Sequence, residues 1–216
     1  MSIITKICGI TSQDALDAAI SGGADCIGLV FFSKSPRHLE ISQARDLANR
    51  ARGKAKVIAL TVDAGDEALE EIVQQVAPDA LQLHGSETPE RVAVIKRRFQ
   101  REVIKAIPVA TADDVARAQD YRGVADLILF DAKGVSGSDL PGGNGRTFDW
   151  SALDGWSAEI PFMLSGGLNP ENVTAAIART RPAAVDVSSG VESSPGVKDP
   201  QRIHRFLQAA KTAKQI

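Results

Sequence analysis

The chain has 216 residues, with 25 Lys and Arg against 27 Asp and Glu for a formal net charge of -2; 44% of it is hydrophobic and 5% aromatic. This is an ordinary globular composition, and it argues against general nucleic-acid binding, which needs a concentrated basic surface. Two cysteines, Cys8 and Cys26, make neither a disulfide framework nor a four-ligand zinc site. The stretch from Met1 to Lys6 lacks a signal-peptide core and no run approaches a membrane span, so a cytoplasmic protein without a membrane partner is expected.

Strand-like and helix-period segments alternate from the first residues onward. Ile3 to Cys8 reads as a strand with Ile4, Lys6 and Cys8 on one face, ended by Gly9. Ser12 caps a helix with the apolar face Ala15, Leu16, Ala19 and Ile20, stopped at Gly22-Gly23. Cys26 to Phe31 is a buried strand leading into the loop Phe32 to His38. A helix over Ile41 to Arg52, a strand over Lys56 to Val62 and a helix over Asp66 to Val76 follow. Ala80 to His84 is a short strand, and Pro89 opens the next helix. That helix ends in Lys96, Arg97, Arg98 and Arg101, which read as a solvated face complementing the helix dipole.

The fifth strand is expected over Glu102 to Ile107, with Thr111 capping the fifth helix. Asp126 to Asp131 is the sixth strand, and a glycine-rich segment from Ala132 to Thr147 precedes a short helical stretch near Trp150. Pro161 to Ser165 is the seventh strand and Pro170 to Arg179 its helix. Ala184 to Val187 is the eighth strand, and a last helix runs from about Asp199 to Ala213. Eight strand–helix units of roughly 27 residues predict an α/β fold: residues 1–216 as a single (β/α)₈ TIM barrel domain, favoured over an open doubly wound sheet.

In such a barrel the C-terminal strand ends carry the active site. The polar residues expected there are Cys8, Arg37, His84, Asp131, Gly166, Gly167, Asp186, Ser188, Ser189 and Gly190. The glycine-containing loops of units seven and eight suit a phosphate held by backbone amides at helix N-termini. Arg37 has the planar fork that grips a carboxylate, although a solvent-exposed loop arginine is the plainer alternative. Cys8 and Asp131, on opposite sides of the mouth, form a potential base and acid for an enolising proton transfer. The plainer alternative for Cys8 is a small buried hydrophobe. Lys6 and Asp186, on neighbouring strands once the barrel closes, predict an ion pair, with Lys6 helping to keep Cys8 partly as thiolate. The segment Gly134 to Arg146 is expected to fold over bound substrate as a lid.

Six stretches resemble phosphoribosylanthranilate isomerase: Lys6 to Thr11, Lys34 to Arg37, Gln82 to Gly85, Gly142 to Trp150, Gly166 to Pro170, and Val185 to Glu192. They run in order through nearly the whole chain. The resemblance implies a cofactor-free, metal-free Amadori rearrangement in tryptophan biosynthesis, in a monomer or homodimer. It implies Asp131 as general acid, Cys8 as general base, and Arg37 on the anthranilate carboxylate. The loops at Gly166-Gly167 and Ser189-Gly190 would hold the phosphate, Gly143, Asn144 and Gly145 would close over the site, and His84 and Asp186 would line the pocket. Departures from the family's pattern are Ser33, the segment Thr61-Val62-Asp63 and the extended run from Gly134 to Leu140. The rival readings are another sugar-phosphate barrel, a non-catalytic phosphometabolite-binding protein, and Cys8 as a covalent nucleophile. The last lacks a histidine placed in sequence to activate the thiol.

Overall fold

The computed structural model describes residues 3–134, 147–156 and 160–213. Eight parallel strands close into a barrel in sequence order: β1 (Ile4–Cys8), β2 (Cys26–Phe31), β3 (Lys56–Thr61), β4 (Ala80–Leu83), β5 (Glu102–Val109), β6 (Leu127–Ala132), β7 (Phe162–Leu164) and β8 (Ala184–Val187). Closure runs through β1 against β8, with Lys6 level with Asp186.

Both faces of each strand are buried, for different reasons. Side chains pointing outward, such as Ile7, Ile27, Val57, Leu81, Val103, Ile128 and Val185, pack beneath the helices. Those pointing inward fill the barrel with an apolar layer that includes Cys26, Ile58, Ile104, Leu129 and Met163. Toward the C-terminal mouth the buried Lys6–Asp186 pair lies beneath a small cluster of Cys8, Val30 and Leu60, and Gln82 and Asp131 add further buried polar groups. The barrel is therefore dry at the bottom and charged at the top.

Seven α-helices lie among the described residues: α1 (Gln13–Ser21), α2 (Ile41–Ala51), α3 (Asp66–Gln75), α4 (Pro89–Phe99), α5 (Ala112–Ala116), α6 (Val173–Thr180) and α7 (Pro200–Thr212). The caps follow the sequence chemistry. Ser12 and Thr88 accept amides from Ala15 and Arg91, and Asp199 accepts those of Gln201 and Arg202. The basic end of α4 is solvated and paired, Lys96 with Asp126 and Arg98 with Asp66 and Glu70.

Three local features depart from the sequence expectation. The fifth helix gives way to a 3₁₀ turn over Arg117–Tyr121, where tertiary contacts take over. The Tyr121 hydroxyl donates to the Glu87 carbonyl at 2.9 Å, and its ring faces Lys105 Nζ at 5.7 Å. In unit six the short helical stretch expected near Trp150 is present as a 3₁₀ turn, Trp150–Leu153; there Trp156 packs edge-on against Phe130 at 5.0 Å. Helix α6 starts three residues late because Asn169 Oδ1 accepts the amides of Glu171 and Asn172, a local turn that competes with helix. Finally, an antiparallel hairpin follows β8 where no element was expected: β9 (Glu192–Ser194) and β10 (Val197–Lys198).

Candidate active site

A cleft opens at the C-terminal mouth. Its wall includes Cys8, Arg37, His84, Asp131, Gly166, Gly167, Asp186, Ser188 and Ser189, so most of the expected residues converge on one space. Two qualifications concern the rest. Gly190 lies behind the wall, where a Cβ would sit 1.9 Å from the Leu168 carbonyl oxygen; its bare backbone lets loops seven and eight press together. Gly143, Asn144 and Gly145, together with most of the expected lid, lie outside the described residues.

Cys8 ends β1 and is buried beside β2. A Cβ at Gly28 would lie 2.8 Å from Cys8 Sγ, so the glycine on β2 makes the room that the sulfur occupies. Beneath it, Lys6 Nζ donates to Asp186 Oδ1 at 2.9 Å with neither side chain more than 5% exposed, as the pairing of β1 with β8 leads one to expect. Burial disfavours the Lys6 ammonium, but Asp186 and then Cys8 outweigh it and hold the group above its ordinary value. The expected partial thiolate is corrected here. Burial pushes the Cys8 thiol up, and Lys6, which pulls the other way, does not overcome it.

Asp131 points into the mouth from β6, three strands round from β1 by way of β8 and β7. Its Oδ1 accepts the Ala132 amide at 2.9 Å, and its Oδ2 stands 3.2 Å from His84 Nε2. His84 Nδ1 in turn lies 3.0 Å from Gln82 Nε2. With the Gln82 amide donating, the neutral ring carries its proton on Nε2 and donates it to an ionised Asp131. A protonated Asp131 reverses the chain: it donates to Nε2, and Nδ1–H then needs an oxygen. Gln82 Oε1, buried and without a partner among the described residues, supplies one when the amide turns over. Gln82 was missed, although its position two residues before His84 on an alternating strand was the available signal.

The loop bearing His84 is held from behind. Lys105 Nζ donates to Glu87 Oε2 at 2.8 Å and to the Gly85 carbonyl at 2.7 Å, while Glu87 accepts the amides of Asp63 and Gly85. Asp63 Oδ1 accepts the Ser86 amide at 2.7 Å, so the departure at Thr61-Val62-Asp63 joins loop three to loop four.

Arg37 is buried, which removes the exposed-loop alternative. Its Nε and Nη2 donate to the two carboxylate oxygens of Glu192 at 2.7 and 2.9 Å, while the side chain lines the cleft. Gly166, Gly167, Ser188 and Ser189 form the wall of loops seven and eight. The α6 terminus differs from the expectation: Asn169 and Asn172 already take amides of the α6 approach, so loop seven contributes loop backbone, whereas on loop eight Ser189 opens a 3₁₀ turn, Ser189–Val191.

A barrel whose mouth sets a carboxyl–imidazole pair and a thiol about one cleft, beside a glycine-lined wall, is that of an acid–base enzyme. Residues 5–209 match the family model described as N-(5'phosphoribosyl)anthranilate (PRA) isomerase. An N-(5'-phosphoribosyl)anthranilate isomerase of Rhodopseudomonas palustris strain BisA53 is 53% identical over 216 residues, covering 100% of this chain and 99% of that protein. One from Mesorhizobium japonicum is 50% identical over 214 residues, covering 99% and 98%. The crystal structure of phosphoribosyl anthranilate isomerase from Thermotoga maritima superposes with a TM-score of 0.87 at 38% identity, covering 97% of this chain and 98% of that one. A phosphoribosyl anthranilate isomerase in complex with reduced 1-(o-carboxyphenylamino)-1-deoxyribulose 5-phosphate superposes with a TM-score of 0.85 at 37% identity, with the same coverage. The chain belongs to the N-(5'-phosphoribosyl)anthranilate isomerase family.

Proposed function

We propose that residues 1–216 act as a single barrel domain, an intramolecular oxidoreductase of tryptophan biosynthesis. It converts N-(5-phosphoribosyl)anthranilate to 1-(2-carboxyphenylamino)-1-deoxyribulose 5-phosphate with no cofactor. The observation that carries the reading is the thiol of Cys8 and the carboxyl of Asp131 on one cleft wall, from strands on different sides of the barrel.

Asp131, as the acid, gives its proton to the furanose ring oxygen; the bond from that oxygen to C1′ breaks and the nitrogen lone pair forms the Schiff base. His84 and Gln82 support the change of charge on Asp131 by reversing their hydrogen bonds. Cys8, as the base, then takes the C2′ proton to leave an enolamine, which tautomerises to the ketone. A cationic Schiff base beside the sulfur acts in the same direction as Lys6, lowering a thiol pKa that burial has raised. Arg37 holds the anthranilate carboxylate, and the Gly166-Gly167 and Ser188-Ser189 backbone holds the phosphate, Gly190 acting as the spacer that keeps the two loops together.

The reading includes a cytoplasmic location, supported by two free cysteines. No helix among the described residues is long and apolar enough to cross a membrane. It also includes a monomer or homodimer; a dimeric Thermotoga maritima relative, 37% identical, has been solved as monomers. The test is a turnover assay coupled to indole-glycerol-phosphate synthase. Steady loss of substrate with formation of the coupled product is expected, whereas tight binding of the phosphorylated substrate without turnover would leave a binding protein in its place.

A further inference from the structure

Outside the acid–base machinery, the densest group of buried charge is Arg37, Glu192 and Lys198, none more than 7% exposed. The hairpin β9–β10 brings the last two together. Glu192 opens β9 and Lys198 closes β10, and their side chains meet with Lys198 Nζ donating to Glu192 Oε1 at 2.6 Å. Glu192 also accepts both Arg37 contacts and the Gly196 amide at 3.2 Å, so its carboxylate takes four donors. Lys198 reaches back to loop eight as well, donating to the Ser188 carbonyl at 3.0 Å and to the Ser188 hydroxyl at 3.1 Å. One cluster therefore fixes the Arg37 cation and the neighbouring Ser188 backbone together at one edge of the cleft.

We propose that Glu192 and Lys198 are positioning residues for substrate recognition. Through the β9–β10 hairpin they preset the Arg37 guanidinium for the anthranilate carboxylate and tie it to the loop that begins at Ser188. This rests on the assignment of Arg37 to that carboxylate. A long arginine side chain ordered on folding loses no freedom when substrate arrives, which is how preorganisation strengthens binding. The bidentate grip also fixes the plane of the fork, which a single contact would leave free to turn. The charges of the cluster are held by one another. Burial works against the Glu192 carboxylate, but Arg37 and Lys198 outweigh it and bring it to about 2. Burial instead wins at Lys198, down to about 8.

Binding of two reduced product analogues, one with and one without the ortho carboxylate on the ring, tests this. The quantity read is the ratio of their dissociation constants, obtained by calorimetry for the native chain, Arg37→Ala and Glu192→Gln. The expected result is a native ratio of at least about tenfold that collapses in Arg37→Ala. Glu192→Gln should lose most of the ratio through weaker binding of the carboxylated analogue alone, with KM raised and kcat within about threefold of native. If Arg37→Ala removes the ratio and Glu192→Gln keeps it, the positioning role is overturned while the assignment of Arg37 stands. If Arg37→Ala keeps the ratio, that assignment falls and the proposal falls with it. Equal weakening of both analogues in Glu192→Gln, with kcat lowered in parallel, would show a structural role only and overturn the proposal. Should Glu192→Gln fail to fold, Lys198→Met leaves the Arg37–Glu192 pair in place. It is expected to lower the ratio by about threefold, and an unchanged ratio in that variant counts against the proposal.

Discussion

At the scale of single residues, the two groups assigned to proton transfer have a distinct kinetic signature. Cys8→Ser replaces the sulfur by a hydroxyl too weakly acidic to serve as base, and Asp131→Asn removes the transferable proton while keeping the shape. Each is expected to lower kcat by about 10²–10⁴-fold with little change in KM, measured by steady-state kinetics. Near-native turnover in both would remove the assignment. The environment of Cys8 adds a pH prediction. Burial raises its pKa and Lys6 opposes that rise, so kcat/KM should climb with pH as the thiol ionises, with a midpoint above the ordinary thiol value. Lys6→Met removes the opposing charge and is expected to move that limb further to high pH. A limb that stays in place would show that Lys6 does not tune the sulfur.

At the scale of elements, two contacts close the molecule. The Lys6–Asp186 pair joins β1 to β8, where the barrel meets itself. Leaving Asp186 buried without its cation in Lys6→Met should cost about 3–5 kcal/mol of unfolding free energy in urea titration. The other contact is the Asp199 cap of α7, a helix that buries Ile203, Phe206, Leu207 and Ala210 and packs against α1 and α6. Asp199→Ala frees two amides in the first turn and is expected to cost about 1 kcal/mol, or about 2–4 °C in Tm. An unchanged melting temperature would mean that solvent replaces the cap without loss.

At the scale of the whole molecule, the buried triad makes stability depend on pH at both ends. The Glu192 carboxylate, held at about 2, has an ordinary value of 4.5, so between those pH values the unfolded chain binds the proton that the folded chain refuses. Its contribution, on the order of 3 kcal/mol, is complete above pH 4.5 and lost as the pH falls toward 2. Lys198 has the opposite placement. Between about 8 and its ordinary 10.5 the folded chain has released a proton that the unfolded chain keeps, so its effect there is a rise in stability with pH. Urea midpoints measured across both windows should fall on the acid side, and Glu192→Gln should flatten that fall. The barrel itself was legible because buried parallel strands alternate with amphipathic helices; Ala184–Val187 was even placed with its observed ends. The meeting of Cys8 with Lys6 at the mouth was legible because alternation along a strand puts both on one side, whereas the same signal at Gln82 and His84 went unused. The β9–β10 hairpin was not, since its short polar strands are joined by charge contacts to Arg37, 155 residues away from Glu192 in the chain. Nor was the upward push of burial on the Cys8 thiol pKa, because depth of burial is a property of the closed barrel and no local pattern records it.

That depth has a further chemical consequence. Peroxides and alkylating agents attack the ionised sulfur, and they need a path to it. A sulfur only 4% exposed, whose ionisation burial disfavours, should outlast oxidative stress that would disable an open, acidic cysteine. Iodoacetamide is accordingly expected to label Cys8 far more slowly than free cysteine at the same pH, with mass spectrometry as the readout.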